Sequence, residues 1–259
     1  MKKIFALALA VVMALSLAAC AAKQAPVSEK TGAPSYTINP GKLVMSTNAK
    51  FPPYEMVAGD GSFEGIDVEI ATAIAEKLGL ELVVDDMEFT SALQAAQNGK
   101  SDIVMAGVTV NEDRLKVMSF SDTYSTGVQV VIVKEGSDIT LDNLGEQTIG
   151  TQAGTTGYIY CCDDYGDDHV VSYPTGAAAV QALANGQVDC VVIDNLPAQE
   201  YVKANEGLVI LDTEYTTEDY AIGMAKDNTE LLDAVNGALA ELKADGTVDK
   251  IVEKYIGAK

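Results

Sequence analysis

The chain is poor in positive charge. It has 17 lysine and arginine residues against 38 aspartate and glutamate residues, which gives its 259 residues a formal net charge of -21 at pH 7. Loss of Lys2 and Lys3, which lie in a segment that we expect to be cleaved, lowers this to -23. Such a surface repels nucleic acid and anionic lipid headgroups, so neither is an expected partner. A zwitterion is little affected by this field.

Histidine and cysteine are scarce too, which limits metal and hydrolase chemistry. The one histidine, His169, lies among four aspartates, and this pattern favours a solvated acidic loop over a metal site. The adjacent Cys161 and Cys162 fit no standard zinc spacing. The sequence has no Ser-His-Asp set and no phosphate-binding glycine loop. We therefore expect no metal and no other cofactor.

The cysteines leave the question of a disulfide open. Cys190 falls in a predicted buried strand, where a free thiol behaves as a small hydrophobic group. In an exported protein a bridge from Cys161 or from Cys162 to Cys190 is an alternative. With Cys20 set aside, three cysteines remain, so at least one is free or paired elsewhere.

One helix-and-strand unit occurs twice. Residues 93–107 read LQAAQNGKSDIVMAG, and residues 180–194 read VQALANGQVDCVVID. In each copy an apolar helical stretch ends at Asn-Gly, which tolerates the left-handed backbone of a helix C-terminus. Asp and an apolar run follow, typical of a parallel strand covered on both faces. The repeat predicts two similar α/β lobes, with a ligand cleft at the strand ends near Gly107 and Asp194.

The N-terminus is typical of an exported protein. Residues 1–19 contain Lys2-Lys3 and an apolar run, which predicts a signal peptide. Leu17-Ala18-Ala19-Cys20 resembles the lipobox of bacterial lipoproteins, which implies cleavage before Cys20 and a lipid on its thiol; a plain signal peptide with an incidental cysteine is the alternative. Residues 20–40 are small and polar, and predict a lipidated cysteine followed by a flexible tether.

The rest of the chain predicts an α/β fold of two lobes. We assign residues 41–125 and 221–259 to lobe 1 and residues 126–220 to lobe 2. Each lobe is expected to hold a mixed, mostly parallel sheet flanked by helices. The chain is predicted to cross between lobes near Ser125–Val128 and near Glu218–Ile222, and two extended crossings make a hinge.

Several short motifs together point to a family. In order they are Phe51-Pro52-Pro53-Tyr54-Glu55, Gly65-Ile66-Asp67-Val68, Ala106-Gly107-Val108-Thr109 with Arg114, Phe120-Ser121-Asp122-Thr123-Tyr124, Ala153-Gly154-Thr155-Thr156, and Asp189 with Asp194. Their order and spacing resemble the amino-acid-binding proteins of bacterial ABC importers, the family-3 solute-binding proteins, over residues 41–259. The resemblance implies a type II periplasmic-binding-protein fold. It also implies a monomer, held by a lipid on the outer side of the cytoplasmic membrane, that delivers a free L-amino acid to an ABC permease and its ATPase.

Two charged residues suit the two ends of an α-amino acid. Arg114 offers a planar fork that matches a carboxylate, and the resemblance assigns it the ligand α-carboxylate. Its alternative is a surface arginine paired with Glu112 or Asp113. A carboxylate at Asp194, at the end of a buried strand, costs desolvation energy unless it is paired, and the resemblance assigns it the ligand ammonium group. A helix N-cap is its alternative, and the two roles are compatible.

Backbone and aromatic groups complete the predicted site. Gly107 and Thr109 offer a carbonyl and a hydroxyl, and Thr155 and Thr156 begin a helix whose free N–H groups suit an anion; ordinary turn chemistry is the alternative. The resemblance places Phe51 and Phe89 against the ligand side chain, with core packing as the alternative.

The ligand side chain is predicted to be polar, and the residues at this end of the site allow an uncharged one. Asn48 stands where some relatives carry an acid, Gln152 where some carry lysine, and Ile193 is apolar where glutamine binders can carry a polar ring. Amides both donate and accept hydrogen bonds. No carboxylate clearly awaits a cationic side chain.

An enzyme is the competing function, because cyclohexadienyl dehydratases share the related fold and fold alone does not separate the two. A ligand-sensing domain on this fold is a further alternative. An enzyme requires a general acid in the cleft. The sequence places glutamate only on predicted helices and turns, which favours a receptor.

Overall fold

The computed structural model describes residues 36–257. The predicted signal peptide, Cys20 and residues 21–35 of the predicted tether lie outside the described residues. Residues 36–40, predicted as tether, are instead held against the fold. The Ile38 N–H donates to Asp102 Oδ1 at 2.7 Å, and Asn228 Nδ2 donates to the Tyr36 carbonyl at 2.9 Å. The packed chain therefore begins before Gly41, because Asp102 supplies an acceptor that the sequence pattern did not show.

The first sheet has parallel strands on one side and antiparallel strands on the other. β1 pairs in parallel with β5 and β6, whereas β14 runs antiparallel to β6 and β7. In sheet order the strands are β5 (Glu81–Asp86), β1 (Lys42–Thr47), β6 (Ile103–Val104), β14 (Gly223–Ala225) and β7 (Met118–Phe120). A hairpin sheet of β2 (Lys50–Phe51), β3 (Glu55–Val57) and β4 (Phe63–Glu64) lies between β1 and the first helix in the sequence.

Among residues 36–257, five helices belong to the lobe that contains this sheet. They are Ile66–Leu78, Phe89–Gln97, Glu112–Val117, Thr229–Ala244 and Thr247–Ile256. The first has apolar residues at the spacing of one helix face, with Ile70 and Ile74 fully buried. It ends at Gly79, whose φ of 69° lets its N–H reach back to the Ala75 and Glu76 carbonyls.

The second sheet is also mixed. β9 pairs in parallel with β10 and β11, and β8 runs antiparallel to β11, β12 and β13. The strands are β10 (Val170–Tyr173), β9 (Ile149–Gln152), β11 (Cys190–Asp194), β8 (Ser125–Lys134), β12 (Leu208–Ile210) and β13 (Thr216–Tyr220). Its α-helices are Thr156–Tyr165, Gly176–Ala184 and Asn195–Ala204, and Leu141–Glu146 and Asp167–His169 form 3-10 turns.

The chain passes between the sheets at two adjacent places. β7 of the first sheet leads to β8 of the second, and β13 of the second leads back to β14 of the first. Because Ser125 pairs with Tyr220 in the β8–β13 ladder, the crossings run side by side. This is the two-lobed α/β arrangement that the repeat predicts. Movement about these crossings and the lobe boundaries at 125 and 220 stay predictions.

Two predictions differ from the structure. Only Ile103–Val104 of the predicted strand 102–107 is a strand, because the backbone turns at Gly107 with a φ of 55°. The two sheets contain more antiparallel strand pairs than expected, because the strands at the two crossings run antiparallel to their neighbours.

Cys161, Cys162 and Cys190 are free thiols, and burial raises the pKa of Cys161 and of Cys190 to about 12.

No helix among residues 36–257 combines the length and apolar character needed to cross a membrane.

Gly65 is the backbone position most intolerant of a side chain. Its φ is 129°, and a Cβ there would lie 2.2 Å from the Tyr54 carbonyl oxygen. We expect Gly65→Ala to lower the free energy of unfolding by about 3 kcal/mol, from backbone strain and overlap together. Gly59→Ala is the matched control, because Gly59 has open space around it and should leave stability within about 0.5 kcal/mol. Urea unfolding of both variants measures this, and equal stabilities would contradict it.

Candidate ligand-binding site

A small cavity lies between segments that follow strands of the two sheets. All ten residues that the sequence predicts for ligand binding line it, and two others, Glu55 and Ala106, join them. The full lining is Asn48, Phe51, Glu55, Phe89, Ala106, Gly107, Thr109, Arg114, Gln152, Thr155, Thr156 and Asp194. The structure thus brings the predicted residues together; their contact with a ligand stays a prediction.

Arg114 is the only arginine in the chain, and it is buried, with 8% of its surface exposed. It lies in the first turn of helix Glu112–Val117, where Asn111 Oδ1 accepts its backbone N–H at 2.8 Å. Its Nη1 donates to the Thr109 carbonyl at 2.8 Å, and Nη2 donates to the Gly154 carbonyl at 3.2 Å. One guanidinium therefore binds two backbone segments, one that follows a strand of the first sheet and one that follows a strand of the second.

The Arg114 guanidinium has no carboxylate within 4 Å among residues 36–257. The surface alternative, a pair with Glu112 or Asp113, is wrong: Asp113 pairs with Lys116 at 2.5 Å. Burial lowers the pKa of Arg114, and the charge of Glu218 opposes this. A buried cation without a contacting anion, with N–H groups left over from two carbonyl bonds, is suited to bind an anion.

Asp194 is the last residue of β11 and is 8% exposed. It occupies the N-cap position of helix Asn195–Ala204, but its side chain makes no capping bond. Gln129 Nε2 donates to Asp194 Oδ2 at 3.0 Å, and the Tyr220 hydroxyl donates to Oδ1. Burial, and then the charge of Glu218, raise the pKa of Asp194 well above its ordinary value. A cation beside this carboxyl would favour its ionised form.

Two threonines join the sides of the cavity. Thr109 Oγ1 lies 3.3 Å from Thr156 Oγ1. Thr155 is the N-cap of helix Thr156–Tyr165, and its Oγ1 accepts the Tyr158 N–H at 3.3 Å. The free N–H groups of this first helical turn therefore lie at the cavity, as an anion site requires.

Two amides from opposite sheets meet at the cavity wall. Gln152 Nε2 donates to Asn48 Oδ1 at 3.0 Å. Backbone groups fix both amides, since Gln152 Oε1 accepts the Gly176 N–H at 3.1 Å and Asn48 Nδ2 donates to the Met87 carbonyl at 2.8 Å. Each NH₂ group keeps one further N–H. This end of the cavity therefore carries two amide donors and no charge.

The aromatic residues have contacts within the protein as well as with the cavity. Phe51 stacks on Tyr54 with ring centroids 5.9 Å apart, and a Cβ on Gly107 would lie 2.9 Å from the Phe51 ring. Phe89 lies under the Arg114 guanidinium, which is 5.5 Å from its centroid. Core packing and cavity lining thus apply together.

Sequence reasoning missed the buried acids around the cavity. Glu55 begins β3 and lines the cavity, and Glu218 lies in β13 with its Oε2 accepting from Gln129 Nε2 at 2.8 Å. The prediction that glutamates occupy only helices and turns is therefore wrong. β13 has the polar sequence TTEDY, which lacks the apolar run that is typical of a buried strand. Its signal is period-two alternation, which places Glu218 on the same face as the buried Tyr220.

His169 lies away from this cavity. Its Nδ1 is 3.2 Å from the Gln147 carbonyl, and the four neighbouring aspartates are exposed. Residues 36–257 contain no group of three His, Cys, Asp or Glu side chains placed to hold a metal ion.

Two α/β lobes joined by paired crossings, with a charged cavity between their strand ends, define a ligand-binding protein of the solute-binding type. The chain belongs to the bacterial extracellular solute-binding proteins, family 3, whose model matches residues 43–258. This confirms the family that the motifs predict.

Individual relatives carry amino-acid-binding names. A protein of Neisseria gonorrhoeae named probable histidine-binding protein is 34% identical, over 98% of this chain and 96% of its own. A solved ancestral arginine-binding protein bound to glutamine is 38% identical with a TM-score of 0.80, over 85% of this chain and all of its own. One bound to arginine is 39% identical with a TM-score of 0.79, over 84% and 99% of the two chains.

Proposed function

We propose that this chain captures a free L-amino acid in the cavity and delivers it to an ABC permease with its ATPase. The observation that carries the proposal is the placement of Arg114 and Asp194, two buried and opposite charges from different lobes, on one small cavity. An α-carboxylate on Arg114 and an ammonium group on Asp194 would satisfy both. The family is extracellular, in agreement with an exported protein.

The amide wall favours a neutral polar ligand side chain. A carbonyl oxygen would accept from the spare N–H groups of Asn48 and Gln152. A guanidinium would place its N–H groups against these donors. A carboxylate would add charge to a cavity that Glu55 and Asp194 already line, with Glu218 joined to Asp194 through Gln129. Glutamine therefore suits this end of the cavity best.

Binding without turnover is proposed over the enzyme alternative. Glu55 and Glu218 supply carboxyls that a dehydratase could use, so acid residues alone no longer separate the two functions. The comparison with binding proteins favours transport: the relatives above are all named for the amino acid that they bind.

Arg114 gives the direct test of the site. We expect Arg114→Lys to weaken glutamine binding at least tenfold and Arg114→Ala to weaken it by about 3 kcal/mol, because the two-pronged contact with the carboxylate is lost. Lys116→Ala, which removes an exposed cation two residues away, should leave the affinity unchanged. Isothermal calorimetry on the three variants measures this. Equal affinities in wild type and Arg114→Ala would contradict the assignment of the ligand carboxylate to Arg114.

Asn48 tests the choice of ligand. We expect a thermal-shift screen of the twenty amino acids to rank glutamine above arginine and glutamate, and Asn48→Asp to reverse the glutamine–arginine order because it adds a carboxylate at the wall. Asn98→Asp, on an exposed helix end, is the matched control. An unchanged ranking in Asn48→Asp would contradict the role of the amide wall in ligand choice.

NMR of the amino acid after incubation with the protein tests for turnover, and a new product would support the enzyme alternative.

We also propose a lipid on Cys20, a monomeric receptor, and a tether that keeps it at the outer side of the cytoplasmic membrane beside the permease. Cys20→Ala should move the protein from the detergent-rich to the aqueous phase in detergent partitioning. Its glutamine affinity should stay the same, because the cavity is built from residues 48–194. Cys162→Ala is the control and should stay in the detergent-rich phase. Wild type in the aqueous phase would refute the lipid anchor.

A further inference from the structure

Glu55 is buried without a hydrogen-bond donor. It is 0% exposed, it lines the cavity, and neither carboxyl oxygen has a hydrogen-bond partner among residues 36–257. A buried carboxyl in this state is costly unless it is neutral or finds a cation. Such a group on the wall of a binding cavity requires an explanation.

A second buried carboxyl, Asp67, lies beside Glu55, because the Asp67 N–H donates to the carbonyl of Tyr54, the residue before Glu55, at 2.9 Å. Asp67 is also 0% exposed, and burial followed by the charge of Asp67 raises the pKa of Glu55 well above its ordinary value. Two adjacent carboxylates in a dry site cannot both ionise, and only a proton carried by one of them can join them. The pair therefore holds at least one proton near neutral pH.

The remaining negative charge belongs on Asp67. Its Oδ2 accepts the Gly107 N–H at 2.9 Å, and it lies in the first turn of helix Ile66–Leu78, where the helix dipole favours an anion. Burial raises the pKa of Asp67 to about 6, and the bond from Gly107 opposes the rise. Glu55 has no such support, so it keeps the proton.

Within residues 36–257, no lysine or arginine is among the groups that act on this pair. The titratable groups that influence Glu55 are Tyr54 and Tyr124, whose pKa values burial raises, together with Asp86, Asp194 and Tyr201. All are neutral or anionic. The cavity beside Gly107 and Asp194, where the ammonium group is proposed to bind, is the place from which a cation can reach the field of the pair.

We propose that Asp67 is a positioning residue that holds Gly107 for the ligand ammonium group, that Glu55 and Asp67 share one proton near neutral pH, and that loss of the second proton, which Asp67 takes up in acid, is linked to ligand capture. The inference rests on the proposed amino-acid function. An ammonium group nearby favours the ionised pair, so ligand binding lowers the pKa of the pair and releases protons. Below that pKa the pair is neutral, and the affinity falls with decreasing pH.

The first test is calorimetry with L-glutamine at pH 5 to 8, in buffers of low and high ionisation enthalpy. Wild type should release protons near pH 6 and bind about tenfold more weakly at pH 5 than at pH 7, one pKa unit of coupling. Glu55→Gln should release fewer protons and flatten this fall, because Asp67 then has an amide neighbour and keeps its charge. Glu64→Gln, exposed on the same hairpin, should behave as wild type. Identical proton release in wild type and Glu55→Gln would overturn the proposal.

Asp67→Asn is the second variant. Its amide oxygen can still accept the Gly107 N–H, so the backbone stays in place while position 67 no longer takes up a proton. We expect it to bind glutamine with a flat pH profile between pH 5 and 7. A profile as steep as that of wild type would count against the pair.

Urea unfolding without ligand separates this inference from the proposed function. A carboxyl whose pKa is raised on folding stabilises the fold least at high pH, so the pair costs more stability as pH rises from about 4.5, the ordinary value for Glu, towards its folded value. Glu55→Gln should therefore gain stability relative to wild type between pH 5 and 8. A constant difference would refute the shared proton even if glutamine binds as proposed, whereas failure of glutamine to bind would leave this readout intact.

Discussion

Arg114 donates to a carbonyl oxygen on each side of the cavity, and it does so as a buried cation without a contacting anion. This charge constrains its surroundings. Phe89 lies beneath the guanidinium, Asn111 fixes the turn that carries it, and Gly154 brings its carbonyl close with a φ of 76°. Because an unpaired charge in a dry site is costly, the arrangement is complete only when an anion enters.

The carboxyls on the other side of the cavity pose the same constraint with opposite sign. Gln129 donates from one nitrogen to both Asp194 and Glu218, so two acids share one neutral amide. Glu55 and Asp67 have fewer side-chain donors: the Gly107 N–H donates to Asp67, and the Glu55 carboxyl has no hydrogen-bond partner among residues 36–257. Four buried acids around one arginine give the cavity an excess of negative character, which a ligand ammonium group, protons or both must offset. The ionisation of the site and the presence of ligand are therefore linked.

Residues with a motif of their own could be predicted from the sequence. Arg114 after Asn111, Asp194 at the end of an apolar run, and Thr155 at a helix start all have local signals, and each lies on the cavity. Glu218 has no signal of comparable strength. Glu55 ends the first family motif, but the motif does not show that Glu55 is buried, because the burial of both glutamates depends on which strands pair. The strand β13 is polar throughout and exists because its backbone pairs with β8 over five residues. Tertiary pairing of this kind leaves little trace in hydrophobic periodicity.

The Asn48–Gln152 bridge shows how the same residues govern closure and selectivity. The bridge joins the two sheets, so it contributes to holding the lobes together, and its orientation is fixed by the Met87 carbonyl and the Gly176 N–H. If the lobes separate, Asn48 and Gln152 lose each other as hydrogen-bond partners. A ligand with a side-chain carbonyl would add an acceptor for the spare N–H groups without breaking the bridge, whereas a charged side chain would compete with it. Selectivity at this wall therefore follows from a contact that the protein makes with itself.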